Sequence, residues 1–267
     1  MTSMVSMSQF PTPTLDSLRG LWTRSLIEWP DGRRDTDTQV RWLQGPSLYI
    51  DLRQPAHRPD FSGARGFEDL NDAHLKWLAR QEGFAGRLGF DGTFFEWSRT
   101  IDLQPIALYS DAGRLWLEPG RMVEQGRDIT YIEHWHCEAD ASAARCFAAR
   151  LCRREDGCEA FLVRAEGHFM FAKARPSPLP QAESLLECLS LATSPEQRYA
   201  WLDCEISYGR AARREFEIRH SSLPWRERLC GEMRTANGSL RLVEAGSPSS
   251  SEWQIIEAEG DITLLAA

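Results

Sequence analysis

Two charged side chains stand in the first half of the chain at positions where a strand pattern places apolar residues. Arg99 lies in the run 95–103, in which apolar side chains recur at every second position. Glu133 lies in the same way between Tyr131 and Trp135. A charge turned into a protein interior must be paired or must contact a ligand. We therefore predict that Arg99 and Glu133 face a core, where they either pair with each other or act on a bound molecule.

A loop that prolines stiffen is the second candidate. The segment 53–63 holds one histidine, two arginines and one aspartate, and Pro55 and Pro59 stiffen its backbone. Loops at the open end of a barrel commonly carry binding residues. We predict either an ordinary solvated loop or a lid that brings His57 or Arg58 over a pocket, with Arg53 as a further ligand contact.

A metal site is the weaker alternative. His134 and His136 lie two residues apart, a spacing that places two imidazoles on one face of a strand. No carboxylate or later histidine completes the set at a suitable spacing, and an inward Glu133 would turn both histidines outward. The sequence also lacks the phosphate-binding, dinucleotide-binding, serine-hydrolase and zinc-protease motifs. We therefore predict no metal and no cofactor.

Strands and two helical segments must position these residues. Period-two alternation marks strands in the runs 48–53, 95–103 and 129–136, with Asp-Gly, Gly-Pro and Pro-Gly turns between such runs. Helical spacing interrupts the pattern at about 71–82, which opens on an Asn cap, and at about 181–201, which contains a Ser-Pro helix start.

The two halves of the chain resemble each other at an offset of roughly 120 residues. The segment 121–126 matches 241–246, and the helical insertions fall at corresponding places. An open sheet leaves unpaired backbone N–H and C=O groups on its edge strands, and closure into a barrel pairs them. We predict a mainly β protein with two tandem antiparallel barrels, each with a helical insertion. The predicted bounds are 19–137 and 145–265, preceded by an extension over 1–18.

Charge and composition exclude several partners. The 267 residues carry a formal net charge of −8, whereas nucleic acids and anionic membranes require clustered cationic surface. No apolar run is long enough to span a bilayer, and no export signal is visible at the start. The seven cysteines are therefore expected as reduced thiols in a cytoplasm. The scarcity of lysine beside arginine is typical of a GC-rich bacterial genome.

The first strand carries a family resemblance. Gly20-Leu21-Trp22 resembles the Gly-x-Trp start of lipocalins and other calycins. The order of elements is similar to a two-barrel calycin family whose fungal members are kinase-interacting proteins. The segment 42–53, with Arg58-Pro59, resembles bacterial proteins associated with that group. The resemblance implies the lipocalin-like fold and a pocket, and it carries over no catalytic residue.

Three functions follow as alternatives. The first is binding of a small, partly apolar molecule in the first barrel, with an anionic ligand as one option. The second is a cofactor-independent enzyme of the lyase, isomerase or hydratase type, with Glu133 or His57 as general acid–base. The third is a protein-interaction module with solid barrels, which would bind a protein partner or a second copy. The predicted ligand-binding residues are Arg53, His57, Arg58, Trp97, Arg99, Tyr131 and Trp135. Because the first half holds most of the tryptophans, we expect the larger cavity there.

Overall fold

The first barrel occupies the first half of the chain. The structure is a computed structural model that describes residues 10–139, 145–245 and 250–265. Eight strands close this barrel through the pairing of its first and last strands, and a two-residue strand, β2, extends one edge. The strands are β1 (Gly20–Glu28), β2 (Arg34–Asp35), β3 (Gln39–Gln44), β4 (Leu48–Gln54), β5 (Glu82–Phe90), β6 (Phe95–Asp102), β7 (Ala112–Glu118), β8 (Arg121–Gly126) and β9 (Ile132–Cys137).

The second barrel has eight antiparallel strands that follow one another around a closed sheet. They are β10 (Cys146–Cys152), β11 (Glu159–Ala165), β12 (His168–Lys173), β13 (Glu205–Ala212), β14 (Glu215–Ser221), β15 (Cys230–Ala236), β16 (Ser239–Glu244) and β17 (Ser250–Gly260). The matching segments that start at Arg121 and Arg241 lie on the seventh strand of their barrels, β8 and β16. Gly246, at the end of the second match, lies outside the described residues. The predicted mainly β fold with two tandem barrels is confirmed.

Each barrel carries its helices between its third and fourth strands. The first barrel has α1 (Asp72–Leu78), and the second has α2 (Leu185–Leu191) and α3 (Pro195–Leu202). The Asn71 side chain accepts a hydrogen bond from the His74 backbone N–H, and His74 bonds back to Asn71, which fixes the start of α1. The helix is shorter than the predicted 71–82 because β5 already begins at Glu82.

The barrels pack side by side through β4 and its neighbours. One face of β4 fills the first barrel, where Tyr49 belongs to the aromatic core. The other face carries Leu48, Ile50 and Leu52, which pack against the second barrel beside Val163. Both faces of this strand are therefore buried, one inside the barrel and one between the barrels.

A carboxylate from the second barrel fastens this contact. Glu259 accepts hydrogen bonds from the backbone N–H groups of Ser47 (2.7 Å) and Leu48 (2.6 Å) and from the Ser47 hydroxyl (2.7 Å). The helical insertions of both halves form a further shared cluster around Trp77, Leu185 and Trp201. The two barrels are consequently joined both at β4 and through their helical insertions.

The predicted extension and connection are described only in part. Residues 1–9 and 140–144 lie outside the described ranges, and a short 3-10 helix at Asp16–Leu18 precedes β1. Leu18 is fully buried under the first barrel's aromatic core. Across the described ranges, every helix is too short or too polar to cross a membrane.

Candidate functional site

Tryptophans fill most of the first barrel's interior. Trp42 lies 5.6–6.0 Å, ring centroid to ring centroid, from Trp22, Trp97 and Trp135. All four side chains are at most 5% exposed. This tryptophan layer (Trp22, Trp42, Trp97 and Trp135) is closely packed and fills this part of the barrel. The predicted ligand contact Trp135 lies within the layer.

Ionisable side chains form a second layer next to the tryptophans. This charged layer consists of Arg24, Asp51, Arg53, Glu124 and Glu133. Arg24 Nη1 lies 2.5 Å from Glu133 Oε1, and Arg53 Nε donates to Asp51 Oδ1 at 2.9 Å. Burial raises the pKa of Asp51 to about 6, although Arg53 opposes the shift. Each of the two arginines thus has a buried carboxylate partner, as burial requires.

Two glutamates of the charged layer face each other across adjacent strands. Glu124 on β8 and Glu133 on β9 are direct cross-strand partners, and they are 3% and 2% exposed. Trp135 Nε1 donates to Glu124 Oε2 (3.0 Å), and the Tyr131 hydroxyl donates to Glu124 Oε1 (2.8 Å). Burial, followed by the charge of Glu133, holds the pKa of Glu124 well above its ordinary value. Burial and the neighbouring carboxylate therefore favour the protonated form of Glu124.

Arg99 has different partners from those predicted. Its Nη1 donates to Asp102 (2.9 Å), its Nη2 donates to Asp111 (2.6 Å), and the guanidinium lies 3.6 Å from the Phe84 ring centroid. The predicted pairing with Glu133 is wrong, because Arg24 occupies that carboxylate. Burial raises the pKa of Asp102 despite the opposing Arg99 charge.

A bulge explains where the strand alternation fails. On β6, Ile101 pairs with Ala85 and Arg99 pairs with Gly86, which leaves Thr100 as an extra residue. A bulge reverses the facing of everything beyond it. Arg99 therefore faces the barrel, whereas Ile101 belongs to the cluster between the barrels. The predicted common inward face of the run 95–103 is correct only up to Arg99.

A cavity of about 570 Å³ opens over the charged layer. We call it the mouth cavity; loops 103–111 and 127–131 form its rim. Its walls include five of the predicted site residues, namely Arg53, Trp97, Arg99, Tyr131 and Glu133. Ile106, Tyr109 and Ile129 on the rim are 98%, 54% and 56% exposed. The site thus has a charged base and an apolar edge.

The proline-stiffened loop lies elsewhere. Arg58 forms a two-point ion pair with Glu227 of the second barrel, at 2.8 and 2.9 Å, and lines a separate cavity of about 320 Å³ with Trp225. His57 is exposed, with a backbone φ of 56°, and lies outside the mouth cavity lining. The predicted lid over the first barrel is therefore wrong, because the ion pair holds this loop against the second barrel.

The expectation of a larger cavity in the first barrel is also wrong. A groove of about 750 Å³ crosses the second barrel along β13 to β16, with Phe216 and Val243 among its apolar walls. The tryptophan layer explains the difference, since large indole rings occupy the space that the first barrel encloses.

Several residues of the site were not predicted from the sequence. Arg24 follows Trp22 at inward parity on β1, so alternation could have found it. The side chains of Asp51 and Glu124 also point into the barrel. Their strands carry apolar residues on both faces, so alternation does not show which face is the inner one. His134 and His136 turn outward, as predicted from Glu133. Within the described ranges, no three or more His, Cys, Asp or Glu side chains are grouped to hold a metal ion.

Comparison with known proteins gives a fold likeness alone. No protein-family model matches this sequence, and no curated protein matches it. The structure is similar to the crystal structure of the uncharacterized protein YLR301w from Saccharomyces cerevisiae, with a TM-score of 0.53 and 10% sequence identity. The match covers 90% of this chain and 99% of the yeast chain. The arrangement of two barrels is therefore shared, while the calycin relationship stays a prediction.

Proposed function

We propose that the first barrel binds a small, partly apolar molecule in the mouth cavity. The observation that carries this proposal is the combination of a 570 Å³ cavity, an apolar rim and a base of buried polar groups. Ligand sites are usually concave and mostly apolar, with a few fixed polar groups, and have volumes of about 300–1,000 Å³. The same volume disfavours the alternative in which both barrels are solid interaction modules.

Binding of the neutral dye Nile red tests this proposal. Ile129→Asp places a charge on the exposed rim and should weaken dye binding about tenfold, the worth of one buried apolar side chain. The matched control is Ile256→Asp on β17, which changes an isoleucine of similar exposure, 52% against 56%, on the second barrel. Equal weakening by both variants, or no dye binding by the wild type, would refute the proposal. Native mass spectrometry of the purified protein would then search for the natural ligand.

Acid–base catalysis at the same site is a second candidate. It is favoured by the adjacent carboxyl groups of Glu124 and Glu133 and by Tyr131, which connects Glu124 to the cavity wall. Two adjacent carboxyl groups in different environments can serve as acid and base.

Deuterium exchange at the carbon next to the carbonyl of small ketones, followed by NMR in heavy water, tests the catalytic candidate. Exchange above the buffer rate should disappear in Glu124→Gln. Glu118→Gln, on the outer face of β7, is the control and should keep the wild-type rate. Exchange that survives in Glu124→Gln would exclude this acid–base role.

A further inference from the structure

The mouth cavity carries an excess of negative charge. Its charged lining residues are five carboxylates (Glu96, Asp102, Asp111, Asp128 and Glu133) and two arginines (Arg53 and Arg99). In a cavity with low-dielectric walls, an excess of one charge produces a concentrated electric field, which attracts ions of the opposite sign. Arg24 pairs with Glu133, and Arg127 pairs with Glu96 and Asp128, so four arginines oppose the five carboxylates. The remaining excess is one negative charge, which favours a cation over an anion.

Both arginines are already engaged by the protein. Arg99 lies between Asp102 and Asp111, and Arg53 donates through Nε to Asp51. Their charges are consequently compensated before any ligand enters. By contrast, neither Asp111 Oδ1 nor Glu133 Oε2 accepts a hydrogen bond from a described residue. The vacant capacity of these carboxylates suits a ligand that donates hydrogen bonds.

A buried hydroxyl lies next to the cavity. Tyr49 is 0% exposed, and its hydroxyl has no hydrogen-bond partner among the described residues. Tyr49 pairs with Gly86 on β5, and Gly86 pairs with Arg99 on β6, so the three residues lie in one row beside the cavity base. Burial raises the pKa of Tyr49, and the charge of Arg99 opposes the shift. A buried polar atom without a partner is energetically costly. Tyr49 itself is not among the residues that line the cavity, so its hydroxyl is an unsatisfied polar group next to the site.

Aromatic walls complete the arrangement. Trp97, Tyr109 and Tyr131 line the same cavity as the carboxylates. Aromatic faces attract ammonium groups, and the attraction increases when the cation leaves water. We propose that the ligand of the mouth cavity is an amine, with its ammonium group on Asp111 and Glu133 and its apolar body against the aromatic walls and rim. This inference rests on the proposed binding function and replaces the anionic option that the arginines suggested in the sequence.

Three probes with one apolar body test the charge preference. Phenylethylamine, phenylethanol and phenylpropionate are titrated into the full-length protein by calorimetry at pH 7 and low salt. We expect the amine to bind at least about tenfold more tightly than the carboxylate, which corresponds to one charge-assisted hydrogen bond. Added salt should weaken the amine and leave the alcohol unchanged.

Two variants and one control locate the effect. Asp111→Asn should weaken the amine about tenfold and the alcohol less than about twofold. Glu96→Gln removes one lining charge from a 46% exposed side chain, so it should fold normally and weaken the amine by about twofold. Asp156→Asn, which removes a carboxylate paired with Arg153 on the second barrel, should change neither affinity.

The outcomes separate the two proposals. Amine preference that Asp111→Asn and Glu96→Gln reduce, while Asp156→Asn does not, supports the cationic ligand. Binding of the alcohol or the carboxylate as tightly as the amine, still sensitive to Ile129→Asp, would overturn the cationic ligand and leave the binding function standing. Failure of all three probes and of Nile red would overturn both.

Discussion

Removal of Arg24 isolates the energy of the buried charge layer. The Arg24 and Glu133 side chains are 6% and 2% exposed, and their nearest atoms are 2.5 Å apart. Arg24→Met keeps most of the side-chain volume but leaves Glu133 buried beside the Glu124 carboxyl. Breaking a buried pair in this way costs about 3–5 kcal/mol. Because Arg53 remains 4.0 Å from Glu133, we expect a loss near the lower limit, about 3 kcal/mol.

Guanidinium unfolding followed by tryptophan fluorescence measures this loss, since the tryptophan layer reports on the first barrel. The control is Arg150→Met, which breaks an Arg–Glu pair whose side chains are 41% and 38% exposed and should cost less than about 1 kcal/mol. The double variant Arg24→Met with Glu133→Gln should recover much of the stability, because no buried charge is left unpaired. A loss in Arg24→Met no larger than that in Arg150→Met, or a double variant no more stable than the single, would refute the reasoning.

Three further predictions concern buried polar groups. Tyr49→Phe removes a hydroxyl without a partner, so urea unfolding should show unchanged or higher stability, and a loss above about 1 kcal/mol would mean that the hydroxyl is bonded. Burial raises the pKa of Asp51 from 3.8 to about 6, so its contribution to stability is present below about pH 4 and lost as the pH rises through 6. The urea midpoint of Asp51→Asn should therefore depend less on pH in this window, and an identical pH dependence would contradict the shift. Glu259→Ala breaks three hydrogen bonds between the barrels and should destabilise the protein by about 2–3 kcal/mol, measured by calorimetric melting against Glu252→Ala, which breaks an exposed pair with Arg241 within the second barrel.

The amino-acid sequence alone determined the architecture. Period-two alternation in runs such as 129–136 identified strands, and local capping at Asn71 and Ser194 located helix starts, because both signals depend on neighbours within a few residues. The repeated order of weak matches, including 121–126 with 241–246, then required two similar closed sheets.

The sequence also placed part of the site. Arg99 and Glu133 stood at inward positions as polar exceptions, and both line the mouth cavity. Strand alternation could not predict their ion-pair partners. Asp111, which binds Arg99, lies in an irregular loop, and Arg24, which binds Glu133, lies on a strand about 110 residues earlier in the chain. Pairing across such distances depends on register, which alternation alone does not specify.

Only the tertiary structure decided which faces point inward and where the loops lie. Alternation on β4 separates Tyr49 and Asp51 from Ile50, but both sets are buried, because the second barrel covers the outer face. The extra residue Thr100 reverses the parity of β6 without any local sequence signal. Arg58 reaches Glu227 of the other barrel instead of the mouth cavity. The facing of β4 and the position of Arg58 depend on how the two barrels pack together, since a strand pattern distinguishes two faces but does not tell which one encloses the core. The bulge depends on the register of β5 and β6.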